Sequence, residues 1–416
     1  MTWLAGPRAD WVRLANAGGV PPLSRVAAQP FEPAGLLAEA AALHGIEPGP
    51  ATFGTGDFHE PLGVLCRAFE EEAALTTVGR WMTRRFVVRL LGVRLQLAAY
   101  RRADPGVTDE VIDRPLVVTG APRTGTTILY ALLAEDPALR VPRGWELLRP
   151  VPPPDPGRVG ADPRVALCEL ELTLPTLVAP ELGAIHAYGP TMPKECLSAL
   201  SLAFRSEEFI SRYHVPSYVR WLAGADPRPA YDMHRLVLQV LQRRSGPVRW
   251  VLKSPVHLQA LPTLLAVYPD AELAITHRDP LAVLGSVTSL IATLRSVHSD
   301  TVEFAAIGRY HAELYGTSLD RLVDHRDAGL LDPSRVYHGR YAEFVADPLG
   351  AVGALYTHLG RPWPAETAAR QRAVLEGPAA HAGGHRYAFA DLGLDPAAER
   401  RRFARYQRAF AVPDEQ

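Results

Sequence analysis

Lysine is almost absent from this chain: 42 of its 44 basic residues are arginine, and only Lys194 and Lys253 are lysine. Codon bias exchanges the two wherever a solvated positive charge suffices, so a retained lysine marks a place that wants a compact ammonium. Cysteine is equally scarce. Cys66, Cys168 and Cys196 have no paired spacing, which excludes a disulfide frame, a zinc finger or a dithiol motif and fits a reducing, cytoplasmic setting. There is no excess of either charge, with 44 Lys+Arg against 45 Asp+Glu, so nucleic acid is not an expected partner and any anionic ligand must be held by a local cluster. Long apolar runs are missing too. The longest helix-compatible uncharged stretch, Leu281 to Leu294, is too short to cross a bilayer, and Arg8, Asp10 and Arg13 interrupt the first turns where a secretion signal needs apolar residues. The chain reads as a cytoplasmic protein with no integral membrane segment, and its oligomeric state is not legible.

What is present is an ordinary globular composition, 416 residues with 47% hydrophobic and 21% charged. A chain of this size buries roughly three-quarters of its unfolded surface without covalent staples. Residues 1–110 alternate helical patterns with Pro/Gly breaks, and their longest amphipathic segment, Pro61 to Tyr100, predicts a helix packed on the domain C-terminal to it. From Arg114 the pattern changes to short apolar runs, PLVVTG, RWVLK, AELAITHR and SRVYHGRY, each leading into a helical stretch. That alternation predicts an α/β fold with a central parallel β-sheet flanked by helices, behind a helical N-terminal region. The expected division is 1–110 and 111–416, with a helical insertion at about 150–245 that shapes a substrate pocket.

The strongest motif is Gly120-Ala-Pro-Arg-Thr-Gly-Thr-Thr127, placed between the strand PLVV and the helix ILYALLAE. Strand, glycine loop and helix form an anion cradle, because backbone N–H groups and the positive end of the helix dipole face a phosphate or sulfate. The P-loop pattern fails at one position, where Thr126 replaces the lysine that serves β- and γ-phosphates. This points to a 5′-phosphate ligand without a triphosphate tail. Lys253, in Lys-Ser-Pro, and Arg278, in Arg-Asp-Pro, each stand directly after a strand, so Arg123, Lys253 and Arg278 are expected to converge at the carboxyl edge of the sheet. Asp279 and Pro280 read as an N-cap and first-turn proline.

These motifs, G-x-P-R-T-G-T-T, L-K-S-P-x-H and T-H-R-D-P with Ser286 eight residues after Arg278, resemble the sulfotransferases that use 3′-phosphoadenosine 5′-phosphosulfate. The likeness is closest to a large bacterial group and spans about Arg114 to Phe410. It implies a P-loop-type core, transfer to a hydroxyl or amine of a small organic acceptor, and no metal requirement. It also implies that Arg123, Thr124, Gly125, Thr126 and Thr127 hold the 5′-phosphosulfate, that Arg278 and Ser286 hold the 3′-phosphate, and that Lys253 approaches the bridging oxygen. Arg386, in Gly384-His-Arg-Tyr387, is the candidate for a late basic loop, and Tyr341 for an adenine contact or, equally, a packed core aromatic.

Sulfuryl transfer is a loose in-line displacement assisted by positioned cations, and its acceptor needs a general base. Glu146, Glu195, His257 and His186 compete. Glu146 ranks first because relatives place a glutamate about 20 residues after the loop, where burial beside Trp145 would raise its pKa. His257 ranks next, and Glu195 reads equally as a helix-start acid. Lys194 reads as a surface or pocket-rim residue. The competing functions are a P-loop phosphoryl transferase, which wants a loop lysine, and a nucleotide-binding module without turnover, which has no use for Lys253 or a base.

Overall fold

The computed structural model describes the chain except residues 1–2, 48, 50, 158, 186–188, 378–388 and 416. Four short strands form its sheet: β1 (Leu116–Gly120), β2 (Val251–Lys253), β3 (Glu272–His277) and β4 (Val336–Arg340). They lie in the order β2-β1-β3-β4, all parallel. Every residue of β1 and β2 is buried, as expected of unbroken apolar strands covered on both faces. The chain goes from β1 to β2 on one side and then from β2 past β1 to β3 on the other, and this change of direction opens a crevice at the carboxyl end of β1. The register fixes what meets there: Val118 pairs with Lys253, Gly120 with Thr276 and His277 with Arg340.

Among the described residues five α-helices precede the sheet: α1 (Asp10–Asn16), α2 (Pro21–Ala27), α3 (Pro33–Leu43), α4 (His59–Glu71) and α5 (Thr77–Ala103). The amphipathic segment expected over 61–100 is two helices. The break lies at Ala74, whose φ is +46°, and at Thr76, whose hydroxyl accepts from the Gly79 N–H at 3.0 Å as the N-cap of α5. Their apolar faces enter the same core as the sheet, where Leu36, Leu62 and Leu91 belong to one buried cluster with Val117, Leu252 and Ile275.

After β1 the chain runs through α6 (Thr126–Leu133), α7 (Gly144–Leu148) and α8 (Pro163–Val178), then short helices up to Arg228–Gln242. Several contacts hold the returning end of this insertion beside the sheet. Arg143 bridges Pro193, and the Cys196 N–H donates to the Lys253 carbonyl at 3.0 Å. The segment 193–196 is thereby pinned beside the end of β2.

Candidate active site

The loop between β1 and α6 owes its shape to two glycines. At Gly120 (φ +143°) a Cβ would stand 2.5 Å from the Thr276 carbonyl oxygen, and Gly125 (φ +85°) is the N-cap of α6. Arg123 is held in the left-handed region at φ +65°, a conformation non-glycine residues adopt at a cost of about 1 kcal/mol or more. Its Nε donates to Ser286 Oγ at 3.0 Å, and its carbonyl accepts from the Arg278 guanidinium at 2.7 Å. Arg278 also lies over the Tyr341 ring, 3.9 Å from its centroid. Arg123, Gly125, Arg278, Ser286 and Tyr341 therefore meet in one place.

The three loop threonines differ in what they offer. Thr124 is buried, with its hydroxyl committed to the Ala121 carbonyl at 2.7 Å and to Thr276 Oγ1 at 2.5 Å. Thr126 is buried as well, whereas Thr127 is exposed. Only the Thr127 hydroxyl faces the second cation: Lys253 Nζ donates to it at 3.2 Å. The same ammonium forms an ion pair with Glu195.

Lys253 and Glu195 share the wall of a cavity of about 230 Å³ with Thr127, Tyr130, Val287 and Ile291. Glu207 lies on the same wall, where burial pushes its carboxyl up to about 7 despite a hydrogen bond to Gln259. Because the native carboxyl binds its proton more tightly than an ordinary carboxyl near 4.5, stability is complete below that range and declines as pH rises through about 7. Glu207→Gln should abolish this decline and be more stable than the parent at pH 8 by at most about 3 kcal/mol. Urea denaturation of both proteins at pH 5 and pH 8 checks it, and parallel pH trends would reject it.

Two sequence candidates for the base lie elsewhere. Glu146 is only 2% exposed, and its carboxylate accepts from Arg140 and from the Arg143 N–H, both at 2.9 Å, closing the start of α7. Its surroundings are a guanidinium and a helix start, and it is outside the cavity lining. His257 is fully buried in the turn after Lys253, with Nδ1 on the Tyr231 hydroxyl at 2.8 Å. Burial, with His234 beside it, pushes its pKa down to about 3, so it is a neutral packed residue. His186 and Arg386 lie outside the described residues.

Of the two positions expected for Lys194, surface or pocket rim, the structure shows the second. It is half-buried and lines both this cavity and a larger one of about 690 Å³ that opens between α5 and α8. Glu207 and Glu415 were not singled out from sequence. The Glu415 carboxylate grips Arg278 with contacts of 2.8 to 3.1 Å, while its N–H donates to Asp279 at 2.7 Å. Asp279 does cap its helix, accepting from the Leu281 N–H at 3.0 Å, and it also binds Arg400.

Anion-shaped loop, strand-end cations and a carboxylate beside an ammonium suit in-line transfer of a charged group. The model of the sulfotransferase family matches residues 115–365, from the first residue before β1 to the start of the helix after Trp363. The chain belongs to the sulfotransferase family. Among solved structures, sulfotransferase STF1 of Mycobacterium tuberculosis H37Rv is 32% identical, with a TM-score of 0.76 over 90% of this chain and 98% of that one. Sulfotransferase STF9 of Mycobacterium avium is 28% identical, with a TM-score of 0.80 over 93% and 98%. The omega-hydroxy-beta-dihydromenaquinone-9 sulfotransferase Stf3 of Mycobacterium bovis and of M. tuberculosis is 28% identical over 269 residues, 60% of this chain. The match spans 63% of the length of those curated relatives. No helix among the described residues is long and apolar enough to cross a membrane, and no group of acids, histidines and cysteines among them could hold a metal ion.

Proposed function

We propose that the chain moves a sulfuryl group from 3′-phosphoadenosine 5′-phosphosulfate to a hydroxyl, or an amine, of a small organic acceptor, leaving adenosine 3′,5′-bisphosphate. The observation that carries this reading is the position of Lys253, whose ammonium stands between Thr127 at the loop–helix junction and Glu195 on the cavity wall. The donor fits the residues present. Arg278 already binds a carboxylate at the position assigned to the 3′-phosphate, and Arg123 and Ser286 adjoin it.

The donor supplies an activated sulfur–oxygen bond, and the protein's own groups do the rest. Lys253 neutralises the charge that develops on the leaving phosphate oxygen, where a compact ammonium suits a point charge better than a planar guanidinium. Glu195 takes the acceptor's proton as the new oxygen–sulfur bond forms and the old one breaks. Their ion pair links the two roles: when Lys253 turns toward the leaving oxygen, Glu195 loses a cationic partner and becomes the stronger base. Glu195 thus takes the role for which Glu146 ranked first on sequence grounds. We further read 1–110 as a helical layer packed on a core of 111–416, and the three free, buried cysteines support a cytoplasmic site of action.

Adenosine 3′,5′-bisphosphate should raise the melting temperature by several degrees, since a ligand at 100 times its Kd adds about 2.7 kcal/mol to the native state. ATP with magnesium should do much less, because position 126 carries a buried threonine in place of the P-loop lysine. Equal or greater stabilisation by ATP with magnesium would favour a phosphoryl transferase instead.

A further inference from the structure

The two cavities adjoin. Leu172, Lys194, Ser198, Glu208 and Arg212 line both, so one layer of side chains is common to the small chamber at Lys253 and Glu195 and the large one under α5 and α8. The outer chamber has apolar walls that include Met82, Phe86, Val88, Leu148 and Leu174, and its rim carries the exposed side chains of Leu43, Arg85 and Leu167. At about 690 Å³ it holds a drug-sized ligand.

Its charge is the less ordinary property. Six cations line it, Arg85, Arg89, Arg149, Arg164, Lys194 and Arg212, against the carboxylates of Glu39, Glu171 and Glu208. Arg164 is neutralised by Asp162 and Glu39 by Arg84, both partners lying outside the lining. Five cations then face Glu171 and Glu208. Glu171 is shared by Arg149 at 2.5 Å and Arg89 at 3.4 Å, and it feels the field of Arg85 as well. Glu208 pairs with Arg212 at 2.6 Å and lies in the field of Lys194. An excess of positive charge remains on an otherwise apolar wall.

A neutral apolar molecule filling this chamber would strip water from those cations without replacing it, a cost that grows with burial. An anionic group would complete the set, and guanidinium–carboxylate contacts are among the stronger hydrogen bonds. We propose that the acceptor is an anionic amphiphile: its apolar body and acidic group occupy the outer chamber while its hydroxyl reaches Glu195 and Lys253. This rests on the transfer reaction proposed above.

The probes are 12-hydroxydodecanoate and its methyl ester, assayed as acceptors of labelled sulfate with the parent protein and with Arg85→Glu. Arg85 is exposed and stacks on Trp81 at 5.4 Å, so its replacement spares the fold, which a melting curve confirms. The acid should show a KM at least about 10-fold below that of the ester, and Arg85→Glu should raise the KM of the acid alone by about 5-fold, with kcat unchanged. Equal use of acid and ester, or an equal KM change for both in Arg85→Glu, would overturn the proposal. Transfer to neither probe while adenosine 3′,5′-bisphosphate still stabilises the protein would overturn the acceptor class and leave the transfer reading standing. No stabilisation by that nucleotide would remove the transfer reading and this inference with it.

Discussion

Lys253→Ala should lower turnover by about 10²–10³-fold, the scale of removing one preorganised group that stabilises charge in the transition state. The side chain is 3% exposed and its ammonium lies between Thr127 and Glu195, so it needs only a short turn from Glu195 toward the leaving oxygen. Binding of adenosine 3′,5′-bisphosphate, measured by calorimetry, should weaken far less than turnover does, because the nucleotide's other contacts remain. Lys253→Arg should not restore the rate, since a planar guanidinium cannot occupy the same point between a hydroxyl and a carboxylate. A rate within threefold of the parent in Lys253→Ala would remove this residue from the chemistry.

The second large effect separates two glutamates. Glu195→Gln keeps the size of the side chain and loses its capacity to accept a proton, so turnover on an unactivated alcohol should drop by about 10²–10⁴-fold with nucleotide affinity nearly intact. Glu146→Gln should behave in the opposite way. Arg140 would lose a buried anionic partner, costing about 1–3 kcal/mol of stability, while the rate per folded molecule stays near that of the parent. Denaturant titrations alongside initial rates distinguish the two. A Glu195→Gln protein of normal activity paired with a folded but inactive Glu146→Gln protein would return the base to Glu146.

The proposed change of base from Glu146 to Glu195 shows where reading the sequence stops. The strands, the glycine loop and the cations at the strand ends are local patterns, and Gly120, Arg123 and Arg278 lie where those patterns put them. The proposed base is a long-range feature. Glu195 reaches Lys253 because segment 193–196 doubles back to pair with Arg143 and with the end of β2, a route through the insertion that no spacing encodes. Glu146 carried its own local signal, three residues after Arg143 at a helix start, and capping chemistry accounts for it. His257 is turned away from the cavity by the tight turn Pro255–Ala260, which aims its ring at Tyr231. The scarcity of lysine was informative twice over: both lysines line the inner chamber, although only Lys253 was given a chemical reason to be there. Nothing in the sequence pointed to Glu415, whose contact with Arg278 joins residues more than a hundred positions apart.

The contact between Arg278 and Glu415 gives the proposed nucleotide end of the site the character of an ion exchanger. A carboxylate attached to the same chain competes at an effective concentration of about millimolar or more, so a dilute monovalent anion gains nothing by displacing it. A doubly charged phosphate that also meets Ser286 and Arg123 can win the exchange, because it gathers several contacts where Glu415 makes one cluster of them. On the proposed assignment of the 3′-phosphate, Arg278 is kept in place by a surrogate of modest strength, and discrimination between mono- and dianions would arise from the competition as well as from the receptor itself.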